Sequence, residues 1–420
     1  MQGKALPGFR DFYPDDLALR NQIFAVWRSV AARYGFEEYD GPPLEPLELY
    51  TQKSGAEIVG QLYAFKDKGD RDVALRPEMT PTLARMVGAR AQALKKPIRW
   101  FAIPQLFRYE RQQRGRLREH FQLNMDIIGE AGAGADAEII AAALDIMRGL
   151  GLSAAEVRAR VSDRRVMVGQ LQSRCGVSDT EIPAVLAALD KWDRAPAETE
   201  RLLVEALGKR SGATLDFLRE LRERPETLLA APEAESLREC IDRLGNMGLG
   251  EFVDVDYTVV RGLAYYTGIV FELFDKGRSL RAICGGGRYD RLLRDLAGVD
   301  LPCVGFGMGD VVLRELLQEH GVNHQASRRL DAFVVAVGGE DVPSVMKLAH
   351  ELREAGVAVE YGLKYQAIRK QLELAAARGA PRAVILGPDE RREGVALVRD
   401  LNGGSEHKVP LAALAAELRR

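Results

Sequence analysis

The sequence predicts an α+β fold: a sheet flanked by helices, interrupted by an all-helical insertion and followed by a small α/β domain. Three patterns carry this reading. Phe121–Ile128 alternates apolar and polar side chains beside a second strand-like run, Arg99–Arg111, as the two arms of a long antiparallel hairpin do. From about residue 166 to 247 the chain turns charged and helical; Leu186 with Leu189, Leu203 with Leu207, Leu218 with Leu221, and Leu237 with Ile241 recur at helical spacing. After a polar stretch at His320–Arg329, strand-like and helix-like runs alternate, the grammar of a mainly parallel sheet. The expected division is 1–165 and 248–325 for the sheet domain, 166–247 for the insertion and 330–420 for the last domain.

Bulk properties narrow the class. A chain of 420 residues exceeds one ordinary core. With 46% hydrophobic and 29% charged residues it reads as soluble and globular. No apolar run is long enough to span a bilayer, and Met-Gln-Gly-Lys does not open a signal peptide, so a cytoplasmic protein without membrane association is expected. Cys175, Cys240, Cys284 and Cys303 are scattered, and no histidine pairs with a cysteine at metal-ligand spacing, so no protein-held metal is predicted. A net charge of −2 argues against wholesale coating of nucleic acid.

In chain order, Gly8-Phe-Arg-Asp-Phe-Tyr-Pro14 is an irregular lead-in, and a helix from Pro14 presents Ile23, Trp27, Val30 and Tyr34 until Gly35 ends it. Phe36–Tyr39 and Val73–Arg76 read as strands. Pro81 begins a helix through Met86 with Thr80 as its cap, and Glu78 sits at the corner where a carboxylate can take an ammonium group or simply face water. In the hairpin, Arg108 and Glu110 share a face, and Gln122, Asn124 and Asp126 share another. A polar row on a sheet with an apolar back must face water or line a ligand pocket. Arg108, Arg111, Arg114, Arg116 and Arg118 bring five guanidinium groups, and no lysine, to this row; that is the choice for bidentate phosphate contacts.

Asp136–Arg148 reads as a helix and Val157–Val161 as a strand. Between the strands Phe252–Val260 and Ile269–Phe274 lies Arg261-Gly-Leu-Ala-Tyr-Tyr-Thr-Gly268, either a ligand-facing segment or an ordinary hairpin; on a strand Tyr265 and Tyr266 take opposite faces. Leu280–Cys284 is expected as a strand, with Gly285-Gly-Gly as a corner able to hold phosphate on free amides. Gly305, Gly307 and Gly309 alternate on one strand and leave a bare face, suited to a flat ring such as adenine or to a tight helix crossing. Asp310 is expected to cap a helix, Val311–Glu319. Beyond residue 330, strands are expected at Leu330–Val337, Val357–Tyr361, Ala383–Leu386 and Val395–Asp400. Helices are expected at Val342–Ala355, Tyr365–Arg378 and Leu411–Arg419. Lys364, Arg369, Lys370, Arg378 and Arg382 form either a nucleic-acid face or solvated surface.

Leu75-Arg-Pro-Glu-Met-Thr80, Phe107-Arg-Tyr-Glu-Arg111, Arg261–Gly268 and Cys284-Gly-Gly-Gly-Arg-Tyr-Asp290 together resemble the histidyl-tRNA synthetases, class II aminoacyl-tRNA synthetases, over essentially the whole chain. The resemblance implies a class II antiparallel sheet of six or seven strands, a homodimer and a C-terminal anticodon-binding domain. It implies activation of histidine by ATP with Mg2+, then transfer to the 3′ end of tRNA(His). It puts Arg108 on the α-phosphate and the histidine carboxylate, and Arg116 on the outer phosphates. Arg261 stabilises charge at the α-phosphate, and Glu110 and Gly307 complete the ATP site. Glu78 and Thr80 hold the amino group beside Gln122, Asp126 and Tyr266 bind the imidazole, and Tyr265 closes the pocket. Three positions depart from the family pattern. Ala264 stands where aspartate is usual and Asp126 where glutamate is usual. Gly309-Asp-Val-Val312 replaces the Gly-Leu-Glu-Arg run whose arginine clamps the γ-phosphate, a variant similar to that of plastid-type enzymes. Arg314 lies roughly 200° round the helix from Val312, which leaves Arg116 or Arg288 to take that load. The other classes consistent with the chain are a silent paralogue that binds histidine and regulates a biosynthetic enzyme, and an RNA-binding scaffold.

Overall fold

Alternation along Phe121–Ile128 sets the architecture: one side of this strand is built to be buried and the other to stay polar. The computed structural model describes residues 3–51, 59–192, 195–260, 265–277, 280–322 and 330–419. It divides into two compact units, Met1–Asn323 and His324–Arg420.

The first unit holds a sheet of strands β1 (Glu37–Glu38), β5 (Ile98–Ala102), β7 (Glu119–Ile128), β12 (Cys303–Gly309), β11 (Cys284–Arg288), β10 (Ile269–Asp275), β8 (Val157–Asp163) and β9 (Val253–Val255), in that spatial order. The six strands from β5 to β8 pair antiparallel, and the short edge strands β1 and β9 pair parallel. Strand β6 (Gln105–Phe107) pairs with the first residues of β7, and β2 (Leu44–Pro46), β4 (Asp72–Leu75) and β3 (Tyr63–Lys66) form a separate antiparallel sheet. The arm expected over Arg99–Arg111 is thus two strands, broken where Pro104 cannot donate to the ladder.

Residues directly opposite each other in a ladder share a face. One row therefore reads Phe101, Met125, Phe306, Gly286, Phe271, Val161. It is buried in a core that includes the alanine-rich helix Ala133–Gly149 and Trp27 of the helix Pro14–Arg33. The rows on the other face read Trp100, Asp126, Gly305, Gly287, Val270 and Ala102, Asn124, Gly307, Gly285, Glu272. Helix Thr80–Arg90 joins the core cluster on this side through Leu83, Ala84 and Val87.

Several sequence expectations change. Gly285–Gly287 is buried strand, not a loop, so its amides are committed to the sheet and offer no phosphate nest. Thr80 and Asp310 are first residues of their helices, not caps; Asp310 instead accepts Arg10 Nη1 at 2.8 Å and the Phe121 amide at 2.9 Å, tying the lead-in to β7. Between residues 166 and 247 the described residues are largely helical, as expected, with no strand, and the helix Glu235–Asn246 packs on Ala133–Gly149.

In the second unit, β14 (Val359–Tyr361), β13 (Ala332–Ala336) and β15 (Arg382–Leu386) are parallel. β16 (Val395–Asp400) and β17 (Glu406–Pro410) extend the sheet antiparallel, so it is mixed rather than mainly parallel. Helices Val342–Glu354, Ile368–Ala377 and Leu411–Leu418 cover it. No helix among the described residues is long and apolar enough to cross a membrane.

Candidate active site

The polar face of the large sheet opens into a cleft of about 240 Å³ lined by Arg108, Glu110, Arg116, Gln122 and Gly307, five of the residues expected there. Its walls also include His120, Glu272, Arg281 and Val312. Arg108 leaves the end of β6 and its Nε donates to the Pro77 carbonyl at 2.9 Å, which fastens the strand-to-helix corner carrying Glu78 and Thr80 to the cleft. Arg76 locks the same corner: it donates to Asp40 and to the Gly41 carbonyl at 2.7 Å each, and to the Gln105 carbonyl at 3.1 Å. Glu78 is buried and Thr80 half-buried.

Arg116 is held at 2.9 Å by Glu110, so the carboxylate orients the cation rather than standing as a separate contact. His120 was not singled out by the sequence. Burial, together with the charges of Arg108, Arg10 and Arg116, pushes its pKa down to about 3, so its imidazole is neutral at physiological pH. The signal for it was present: it sits two positions before Gln122, on the polar side of β7.

The glycines of β12 make room for specific side chains. A Cβ on Gly305 would overlap Asp126 Oδ1, and one on Gly307 would lie 2.9 Å from the Gln122 carboxamide carbon. The bare face is therefore partly occupied by the protein's own polar groups, between which a ligand would lie.

Asp126 lies four residues along β7 from Gln122, on the same face and 6% exposed. Tyr289 donates its hydroxyl to Asp126 Oδ1. Burial pushes the Asp126 carboxyl up to about 7, against the opposing effect of that hydrogen bond. Tyr265 stacks obliquely on Tyr266 at 5.0 Å between centroids and meets Tyr289 edge-on at 5.9 Å. Both Tyr265 and Tyr266 precede β10, in a turn and an irregular step, so the alternation expected of them on a strand does not apply, and they share one aromatic cluster. Trp100, directly across from Asp126, packs on Tyr39 at 5.3 Å. The Tyr39 hydroxyl is buried with no hydrogen-bond partner, an orphan polar atom beside the acid. Tyr39 and Tyr289 were missed because a single phenol in a strand-end or Arg-Tyr-Asp context carries no distinguishing spacing.

Arg261 and Ala264 lie outside the described residues. Arg288 does not reach the cleft. Its guanidinium is buried against Asp136, with Nε 3.2 Å from both carboxylate oxygens, and donates to the Glu130 and Gly132 carbonyls. The sequence could not reveal this, because the partner lies 152 positions away. Arg314, as the helical geometry requires, turns from the cleft to pair with Asp16. In the second unit Arg369 pairs with Glu373, Arg378 with Glu360, and Arg382 donates to the Glu417 carbonyl, so these arginines are engaged within the unit.

The arrangement suits a nucleotide whose phosphates meet Arg108 and Arg116, on the same sheet as a packed group of phenols around a buried acid. Comparisons agree. Residues 8–313 match the family described as histidyl-tRNA synthetase, and residues 331–420 match the anticodon binding domain. A histidine–tRNA ligase of Opitutus terrae is 45% identical over 99% of this chain and 98% of its own. The chloroplastic and mitochondrial histidine–tRNA ligase of Arabidopsis thaliana is 39% identical over 97% of this chain and 85% of its own. The crystal structure of histidyl-tRNA synthetase from a Nostoc species superposes with a TM-score of 0.83 at 24% identity, covering 100% of this chain and 99% of that one, which bears on the fold. On this evidence the chain belongs to the histidyl-tRNA synthetase family.

Proposed function

We propose that the chain is a histidine–tRNA ligase, and that the cleft and the Asp126 cluster are its ATP and histidine sites. In the first step a histidine carboxylate oxygen attacks the α-phosphorus of ATP; pyrophosphate leaves and histidyl-adenylate remains. In the second, a ribose hydroxyl at the 3′ end of tRNA(His) attacks the activated carbonyl and AMP leaves.

Arg108 bridges the α-phosphate and the incoming carboxylate. Its bond to Pro77 fixes the guanidinium before substrate arrives, so little reorganisation is needed as charge builds. Arg116, oriented by Glu110, takes outer-phosphate charge. Gln122, Glu78 and Thr80 receive the amino group; Asp126 and Tyr266 take the two imidazole nitrogens, and Tyr265 closes over them. Tyr289 holds one oxygen of Asp126 and leaves the other for the imidazole. Arg261 carries α-phosphate stabilisation by family resemblance alone. Magnesium enters as part of the ATP substrate. The described residues hold no cluster of three or more metal-binding side chains, and the cleft offers two carboxylates, Glu110 and Glu272.

The proposed division assigns catalysis to 1–165 and 248–325, partner contact to the helical insertion 166–247, and anticodon reading to 330–420. The working form is a homodimer in the cytoplasm. The observation that carries the reading is the sheet face on which Gln122 and Gly307 line a cleft with Arg108 and Arg116, a face that Asp126 shares on β7.

Charging of tRNA with each amino acid in turn tests it. Histidine alone should be transferred. Histidine binding without histidine-dependent ATP–pyrophosphate exchange would identify a regulator instead.

A further inference from the structure

The helix after β12 begins Asp310-Val311-Val312, so the position from which this family reaches the terminal phosphate of ATP carries an isopropyl group. Some other cation must meet that charge. Four arginines near the site are already placed elsewhere. Arg288 is buried on Asp136, and Arg314 is turned to Asp16. Arg114 clasps Glu315 and Glu319 of the helix Asp310–Glu319. Arg108 faces the innermost phosphate in the proposed function.

Among the described residues, the cleft lining holds Arg281 and Arg116 besides Arg108. Arg281 stands on the segment entering β11, and its position relative to Val312 is informative. A Cβ built on Gly115, the positive-φ tip of the connector, would lie 3.1 Å from Val312 Cγ2 and 3.6 Å from Arg281 Cδ. The side chains of residues 281 and 312 therefore converge on one spot, at the mouth of the cleft beside Arg116. Arg281 donates to the Gln113 carboxamide, which anchors it to the same connector. The connector is itself pinned to the helix by the Gly115 amide, 3.1 Å from Glu315.

We propose that Arg281, reaching in from the segment that enters β11, holds the γ-phosphate of ATP together with Arg116 and so replaces the side chain missing at Val312. This rests on the proposed ligase reading. Guanidinium geometry suits it, since two N–H groups can meet two phosphate oxygens at once.

The test compares Arg281→Ala with the unaltered enzyme in histidine-dependent ATP–pyrophosphate exchange and in equilibrium binding of ATP and of AMP. Loss of a charge-assisted contact should raise KM and Kd for ATP about 10- to 100-fold. Binding of AMP, which lacks the outer phosphates, should stay unchanged; a merely structural defect would weaken both nucleotides. Arg281→Lys should recover part of the ATP affinity. Equal ATP affinities for Arg281→Ala and the unaltered enzyme, or equal weakening of ATP and AMP, would overturn the proposal. Absence of exchange in the unaltered enzyme would instead overturn the ligase reading beneath it.

Discussion

The two faces of one sheet have opposite compositions. On the side of Ala133–Gly149, successive strands contribute Phe101, Met125, Phe306 and Phe271, all nearly inaccessible. On the other side the same strands contribute Asp126, Asn124 and Gln122, then glycine at 285, 287, 305 and 307. The first face is filled by its own side chains; the second is stripped of them along β11 and β12 and carries its polar groups there, with apolar packing kept at Trp100 and Val270. Binding sites are made here by removing Cβ atoms as much as by adding polar ones, and the stability cost of the empty face is carried by the full one.

This contrast can be broken from either side. Met125→Ala hollows the filled face and should cost about 2–5 kcal/mol in unfolding free energy, measured by denaturant titration. In the molecules that remain folded, histidine should stay the preferred amino acid. Arg108→Ala acts on the stripped face. It should lower kcat for pyrophosphate exchange about 10²- to 10³-fold, as loss of a preorganised donor does, with the unfolding midpoint nearly unmoved.

The glycines sharpen the comparison. Gly305→Ala forces its methyl onto Asp126 and lies 2.6 Å from the Met125 carbonyl, which is backbone and cannot yield. Gly307→Ala meets the far end of a flexible glutamine. Histidine KM should therefore rise much more in the first variant than in the second; equal effects would show that the carboxylate is not held in place by that missing methyl.

A further effect concerns pH. Asp126 keeps its proton to about pH 7 in the folded chain, whereas an unfolded aspartate loses it near 3.8. The stability associated with the protonated form is complete below the lower value and is lost as pH rises through the upper one. Asp126→Asn should flatten this part of the stability profile between pH 4 and 7. It should also weaken histidine binding most clearly above pH 7, where the native carboxylate is ionised.

How far the chain could be read before its structure depended on range. The alternation along β7 is local, and it located Gln122, Asn124 and Asp126 on one face correctly. The arginine-rich connector pointed to phosphate binding by its residue choice but not to which arginine would serve it. The directions taken by Arg288, Arg314 and Arg281 are set by Asp136, Asp16 and Gln113, all more than a hundred residues distant. Triple glycine at 285–287 looked like punctuation because glycine usually ends elements. Its role as a buried strand emerges only when Phe271 and Phe306 press in from both sides of Gly286. The strand Glu406–Pro410 was missed because Val409 alone in it is buried, so it has almost no apolar signature.

The seat of Gly115 against Val312 and Arg281 has a consequence for biosynthesis. Its parts come from residues 108–122, 272–285 and 307–312, with about 150 residues, including the whole helical segment, translated between the first and the second. On the proposed reading of the cleft, a nascent chain cannot assemble the nucleotide site from its early portion, and competence to bind ATP arrives late on the ribosome, after the helix from Asp310 has emerged to receive the waiting connector.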